Sequence, residues 1–271
     1  MPFVIDVDPV AFSLIGVQIR WYGLILVGAA ALAIWLAQRE GRRRGIAPVV
    51  VSDAVLWVGV AALVGGRVLY VVQNELDSLA EHPAHILMVW MGGLSFYGGL
   101  VAGLVALFLF ARSKGIPVLA LFDMAAPAAA IGQAIGHIGC LIGGDSYGVA
   151  TDLPWAVIYR NPGAMAPQNV ALHPTQAYEA ILLGLLFAAL WLGRERLGRL
   201  GAGVVAGAYL LGLSVIRLGL FALRDEPAVL FGLKTAQLLG LAIAGFAVLL
   251  LIGARRTGVV ATTPRLEASR P

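Results

Sequence analysis

The sequence predicts an all-α polytopic membrane protein of about seven transmembrane helices, with a small head region and an interfacial arm on the outer face. Three observations carry that prediction. Of 271 residues, 60% are hydrophobic and only 13% charged, where soluble domains carry close to a quarter charged residues. Apolar stretches near the length that crosses roughly 30 Å of hydrocarbon recur seven times along the chain. The 34 glycines supply the small side chains that let membrane helices approach closely. Too few polar residues remain to cover a water-soluble fold, which excludes a soluble enzyme, a nucleic-acid binder and a secreted scaffold despite the net charge of +4. The single cysteine, Cys140, excludes a disulfide framework and a cysteine-based zinc site within one chain. The sequence carries no metal-ligand cluster.

Residues 1–20 alternate apolar and polar side chains too irregularly for a span, and Pro2 and Pro9 break a long helix. They are read as an interfacial lead-in on the outer face, and the absence of a basic n-region reads as mature sequence. Spans are expected at 21–38, 54–73, 95–111, 119–141, 176–193, 202–222 and 236–254. Residues 74–94 mix charge with Met88 and Trp90, the composition of an amphipathic arm. The stretch 142–175 contains a candidate strand, WAVIY at 155–159, framed by Pro154 and Pro162. The tail 255–271 is polar and reads as disordered. One transmembrane domain over 1–254 is therefore expected. Thirteen lysines and arginines follow the first, third, fifth and seventh spans, against Arg20, Arg160, Arg224 and Lys234 on the other side. The positive-inside rule then puts the N-terminus outside and the C-terminus in the cytoplasm.

Charged groups within spans cost roughly 2.5–3.5 kcal/mol each on insertion scales, so they are candidates for function. Arg67, Arg217, His137 and Glu179 form the short set. For the two arginines the alternatives are snorkelling to headgroups, or pairing with a buried carboxylate such as Glu179. A guanidinium fork suits a phosphate, and the anion at that depth is a phospholipid headgroup. Asp53 and Asp123 open spans and read as helix caps. Glycine pairs at Gly65-Gly66, Gly92-Gly93, Gly98-Gly99 and Gly143-Gly144 suggest breaks or close backbone approach at the outer ends of spans. Together these features predict a lipid-accessible cavity open to the outer leaflet.

Several blocks, in order, resemble the bacterial phosphatidylglycerol–prolipoprotein diacylglyceryl transferases: IRWYGL (19–24), GGRVLYV (65–71), GGLSFYGGLVAG (92–103), GHIGCLIGGDSYG (136–148), HPTQAYEA (173–180), IRLGLFALRDEP (216–227) and Thr235-Ala236-Gln237. The resemblance implies transfer of a diacylglyceryl group from phosphatidylglycerol to the lipobox cysteine thiol of a prolipoprotein, with release of glycerol phosphate. It implies an inner-membrane enzyme of lipoprotein biosynthesis, with phosphatidylglycerol and the prolipoprotein signal peptide as partners. By resemblance Arg217 holds the phosphate, Arg67 and Arg224 complete a basic rim, Tyr22 orients the lipid, and Gly148 closes the signature. Gln176 and Glu179, with Tyr178, are expected to line the cavity or pair with an arginine, and His173 to cap the fifth span. Cys140 is read as a buried small apolar residue.

The departures are as informative. The family signature opens Gly-Arg where this chain has Gly136-His137; its asparagines are Cys140 and Gly143, its glutamate is Asp145, and the third-span histidine is Tyr97. One reading is a swap, in which His137 abstracts the thiol proton, Tyr97 stands where the family base does, and the arginines keep the phosphate. The alternatives are a divergent paralogue that is non-catalytic or uses another acceptor, and a lipid or small-molecule transporter, against which the missing inverted repeat argues.

Overall fold

The computed structural model describes residues 2–14, 16–76, 86 and 93–256. Seven helices dominate: α1 (Trp21–Arg43), α2 (Pro48–Asn74), α3 (Phe96–Ser113), α4 (Val118–Gly143), α5 (Thr175–Gly198), α6 (Val204–Leu220) and α7 (Thr235–Arg256). Six are long and apolar enough to cross a membrane, and α3, at 18 residues, is the shortest of the expected spans after α6 is extended by its 3-10 turn Phe221–Leu223. The molecule is an all-α multi-pass membrane protein, as its composition predicts. The expected arm at 74–94 and tail at 255–271 fall largely outside the described residues.

The chain divides into two compact units, residues 38–121 and residues 1–37 with 122–262. In the smaller unit α2 packs along α3 at a close crossing. A Cβ on Gly65 or Gly98 would lie inside contact distance of the other glycine's carbonyl oxygen. At Gly65-Gly66 and Gly98-Gly99 the helices run on through the pair, which serves backbone approach, while Gly143-Gly144 ends α4, with Gly144 at φ +74, so both roles the sequence allowed occur.

Two helix ends share one design. After α1, Gly45 (φ +75) donates its N–H to Arg42 and Ile46 to Gly41; after α3, Gly115 (φ +65) donates to Arg112 and Ile116 to Ala111. Each is a Schellman-type stop, followed at once by the next helix, at Pro48 and Val118. Basic residues in both last turns complement the carbonyl end of the helix dipole.

In the larger unit α5, α6 and α7 pack in sequence, and alanines four apart on α4 (Ala126, Ala130, Ala134) meet Leu183, Leu190, Val205, Tyr209 and Leu213 in one core. Asp123, 1% exposed, accepts N–H bonds from Gly203 and Ala206, each at 2.8 Å. It caps the N-terminus of α6 rather than its own helix. Asp53 does not open a helix: α2 starts at Pro48 after Ala47, so the carboxylate sits inside it. Replacing Asp123 with Ala strips two buried donors of their acceptor, a loss of about 2 kcal/mol or more. A lower thermal midpoint in detergent is expected for Asp123→Ala, with Asp123→Asn in between; an unchanged midpoint in both would refute the cap.

Short strands complete the larger unit. β1 (Phe3–Ile5) pairs in parallel with β4 (Val157–Tyr159), and β4 pairs antiparallel with β5 (Ala171–Leu172). The expected strand at 155–159 is present in shortened form. β2 (Val10–Leu14) and β3 (Val17–Arg20) form a hairpin in the segment the sequence left as an irregular lead-in. Its register explains the apparent irregularity. A shift between Val10 and Phe12 breaks the alternation in sequence, while the pairs Phe12 with Ile19 and Leu14 with Val17 keep apolar side chains together.

Candidate active site

The site is assembled where three sequence blocks cross. The glycine-rich signature ends α4, HPTQAYEA opens α5, and the segment after α6 runs past both. Gly148 lies at the crossing: its N–H donates to the His173 carbonyl and it bridges Arg224 as an isolated antiparallel pair. A Cβ there would come within 2.7 Å of the His173 Cβ and 2.8 Å of both the Leu223 carbonyl oxygen and the Thr175 Cγ2. None of those atoms is the loose end of a side chain. Gly148→Ala is therefore expected to push the three segments apart, costing about 1–3 kcal/mol and at least tenfold in turnover with expression in the membrane retained; wild-type turnover would contradict the crossing.

The start of α5 is tied down by its polar residues. The Thr175 hydroxyl donates to the Ser146 carbonyl at 2.7 Å, and the Gln176 amide donates to the Asp145 carbonyl at 2.5 Å. Both side chains are fully buried. Tyr159, from β4, donates its hydroxyl to the Leu141 carbonyl at 2.8 Å and accepts a longer contact from Gln176 at 3.4 Å. Burial, reinforced by the nearby Asp145 charge, pushes the Tyr159 phenol above its ordinary value, so it remains a donor across the working pH range. His173 holds the loop through its backbone and sets its ring edge-on to Tyr178. Its side chain does not cap α5, whose N-cap is Pro174. Trp155 donates its indole N–H to the Tyr178 hydroxyl at 2.8 Å.

At the centre stands Glu179, one turn along from Gln176 and 2% exposed. Arg224 donates from Nη2 to Glu179 Oε2, and His137 Nδ1 lies 3.3 Å from the same oxygen. One carboxylate oxygen thus binds Arg224 and has the His137 ring beside it, from two other elements. Arg224 is 5% exposed and so lies in the interior rather than on a rim. Its guanidinium covers the Phe221 ring at 4.5 Å, and the Lys234 ammonium donates to its backbone carbonyl. A buried ion pair of this kind is costly to desolvate and even costlier to break on one side. Arg217 approaches the same Phe221 ring at 5.7 Å. Among the described residues its guanidinium has no hydrogen bond or ion pair, which leaves its donor fork available for an anion.

Tyr22 belongs to the same unit and packs where Gly139 leaves room, since a Cβ on that glycine would come 3.0 Å from the Tyr22 ring. Asp145 is half-buried and contributes its carbonyl to Gln176. Arg67 and Tyr97 lie in the smaller unit. Arg67 is 4% exposed, donates to Glu75 at 3.2 Å and to the Gly93 carbonyl at 3.1 Å. Of the two alternatives the sequence offered, snorkelling and pairing with a carboxylate, it takes the second, with Glu75 as partner. Tyr97 is 44% exposed. Sequence reasoning passed over Thr175, Tyr159, Phe221 and Lys234. The HPTQ block and the spacing of Phe221 between two arginines carried a signal for two of them; nothing marked Tyr159 or Lys234. Among the described residues no cluster of three metal-ligating side chains occurs.

The described chemistry is a half-buried imidazole 3.3 Å from a carboxylate oxygen, a paired arginine and a second arginine with its fork open. That set can deprotonate a weak acid and hold a phosphate. A family model described as prolipoprotein diacylglyceryl transferase matches residues 9–253. Phosphatidylglycerol–prolipoprotein diacylglyceryl transferases of three bacteria are similar to the chain. That of Synechococcus elongatus is 37% identical over 258 residues, covering 93% of this chain and 86% of the relative. That of Chromohalobacter salexigens is 35% identical, covering 94% and 95%. That of Azotobacter vinelandii is 40% identical over 196 residues, covering 70% and 72%.

Proposed function

The chain belongs to the prolipoprotein diacylglyceryl transferase family, and from that premise we propose how its residues carry out the transfer. The donor is phosphatidylglycerol and the acceptor is the lipobox cysteine thiol of a prolipoprotein signal peptide. The observation that carries the mechanism is the Glu179–Arg224 pair with the His137 ring 3.3 Å from the same carboxylate oxygen.

Glu179 faces His137 Nδ1, which favours the tautomer with its proton on Nδ1 and leaves Nε2 as the base. The acceptor thiol gives its proton to Nε2. The resulting thiolate attacks the diacylglyceryl carbon bonded to the phosphate oxygen. A C–S thioether bond forms, the C–O bond breaks, and its electron pair leaves on glycerol phosphate. Thiols ionise near pH 8.5, so a modest base suffices. Arg217 takes the phosphate through its open fork, and Arg224 supplies a second positive charge while neutralising Glu179. Tyr22, Gln176, Asp145 and Gly148 shape the lipid site. The single catalytic domain over 1–254 includes the smaller unit, in which Arg67 is paired with Glu75 and Tyr97 occupies the position of the family's histidine. The basic residues after alternate spans support an inner-membrane location with the N-terminus outside and the C-terminus in the cytoplasm.

Purified protein incubated with phosphatidylglycerol and a lipobox peptide is expected to yield the thioether peptide and glycerol phosphate in equal amounts. Arg217→Gln should reduce kcat/KM for the lipid by about 10²–10³, the scale for losing one charge-stabilising donor. No thioether product from wild-type protein, under conditions where another family member reacts, would overturn the reading.

A further inference from the structure

One apolar cavity of the larger unit runs along α5 and α6 from Leu182 and Ile216, next to the site just described, to Leu197 and Leu200. It has a volume of about 570 Å³ and is lined by side chains of α5, α6 and α7, among them Leu182, Leu197, Leu200, Ala208 and Leu251. No polar side chain lines it. Along α6 it extends from Val204 to Ile216, about 18 Å at 1.5 Å per residue, close to the reach of an extended fatty-acyl chain. Ala208 and Gly212, one turn apart on α6, are among its lining residues, Gly212 admitting Leu186 close to the helix. Leu197 and Leu200 mark one end, at the last turn of α5. Glu179 sits in the first turns of that helix, about 27 Å away along its axis, so the groove's end is remote from the reacting groups.

The same end carries charge. Arg196 and Arg199 each precede a lining leucine, both are exposed, and among the described residues neither guanidinium has a hydrogen bond or ion pair. An uninterrupted apolar channel of acyl-chain length, with two exposed arginines adjoining its end residues in sequence, matches one chemistry, an anionic phospholipid. A signal-peptide helix is a poorer fit, because its basic n-region would meet like charge. We propose that this groove holds an acyl chain of an anionic phospholipid whose phosphate rests on Arg196 and Arg199, as a bound lipid distinct from the one transferred. The proposal requires that the chain span a membrane and does not depend on the transferase mechanism.

The test uses the full chain in detergent, with phosphatidic acid and phosphatidylcholine of identical acyl chains as probes. Retained lipid is counted by native mass spectrometry and binding is followed by the thermal midpoint. Phosphatidic acid is expected to bind at concentrations at least tenfold lower than phosphatidylcholine. The double variant Arg196→Gln/Arg199→Gln should lose that preference, while Arg217→Gln, altered at the reacting end, should keep it. Ala208→Phe, which fills the groove, should lose retention of both lipids; the arginine variant, changed only at the surface, reports independently if the filled protein does not fold. Equal binding of the two lipids would overturn the proposal, as would an undiminished preference in the double arginine variant. A signal peptide that displaces phosphatidic acid from wild type but does not bind Ala208→Phe would reassign the groove to a helix.

Discussion

Arg224→Gln is expected to abolish detectable transfer and to lower stability by about 3–5 kcal/mol, the cost of leaving one partner of a buried ion pair without the other. Glu179 is 2% exposed and Arg224 5% exposed, so water cannot replace the lost guanidinium. His137 cannot replace it either without taking up a proton and giving up its role as base. Glu179→Gln should also destabilise, because the amide can accept from Arg224 but leaves its permanent buried charge uncompensated. The double variant Glu179→Gln/Arg224→Gln separates the two roles. Its thermal midpoint should recover most of the loss seen in Arg224→Gln, while its turnover should stay at background. Equal stability of wild type and Arg224→Gln would show that the pair is not desolvated, and recovery of turnover in the double variant would remove Arg224 from the chemistry.

The second large effect concerns His137. Its replacement by Ala should lower kcat by about 10²–10⁴, the range for losing a positioned general base, with the thermal midpoint nearly unchanged because the Glu179–Arg224 pair persists. Raising the pH should restore part of the lost rate in His137→Ala, since a thiolate formed by bulk hydroxide no longer needs the imidazole. The wild-type rate should rise less over the same interval. A variant with full activity would end the exchange of roles inferred from the Gly136-His137 departure. Loss of activity that no pH restores would assign His137 to binding rather than to proton transfer.

The architecture was legible because lipid imposes it. All seven helices fall where apolar length alone places them, and only their ends moved by a few residues, as at α2, which starts at Pro48 instead of 54. The site was legible in its members and not in its pairings. Glu179, His137 and Arg224 could each be chosen as charges out of place, but no spacing says that one oxygen of Glu179 faces both others, because the three lie on separate elements. Arg67 shows the converse. Its burial cost was correctly recognised, yet the neutralising partner is Glu75, eight residues away on the same chain segment, and nothing in the apolar pattern distinguishes that carboxylate from Glu179. The hairpin at 10–20 was illegible for another reason, since a one-residue register shift scrambles period-two alternation when it is read along a single strand.

The crossing at Gly148 also dictates when the enzyme can exist. His137, Glu179 and Arg224 enter the chain in that order during synthesis, and Gly148 and Arg224 pair only after six helices have been made. A growing chain released before residue 224 would carry Glu179 with no arginine to answer it. Synthesis runs from the N-terminus at about 5–20 residues per second, so the 45 residues between Glu179 and Arg224 leave the carboxylate unanswered for seconds. During that interval the half-built bundle has every reason to keep α5 loosely held, and chaperoning of the nascent protein in the membrane should be concentrated there.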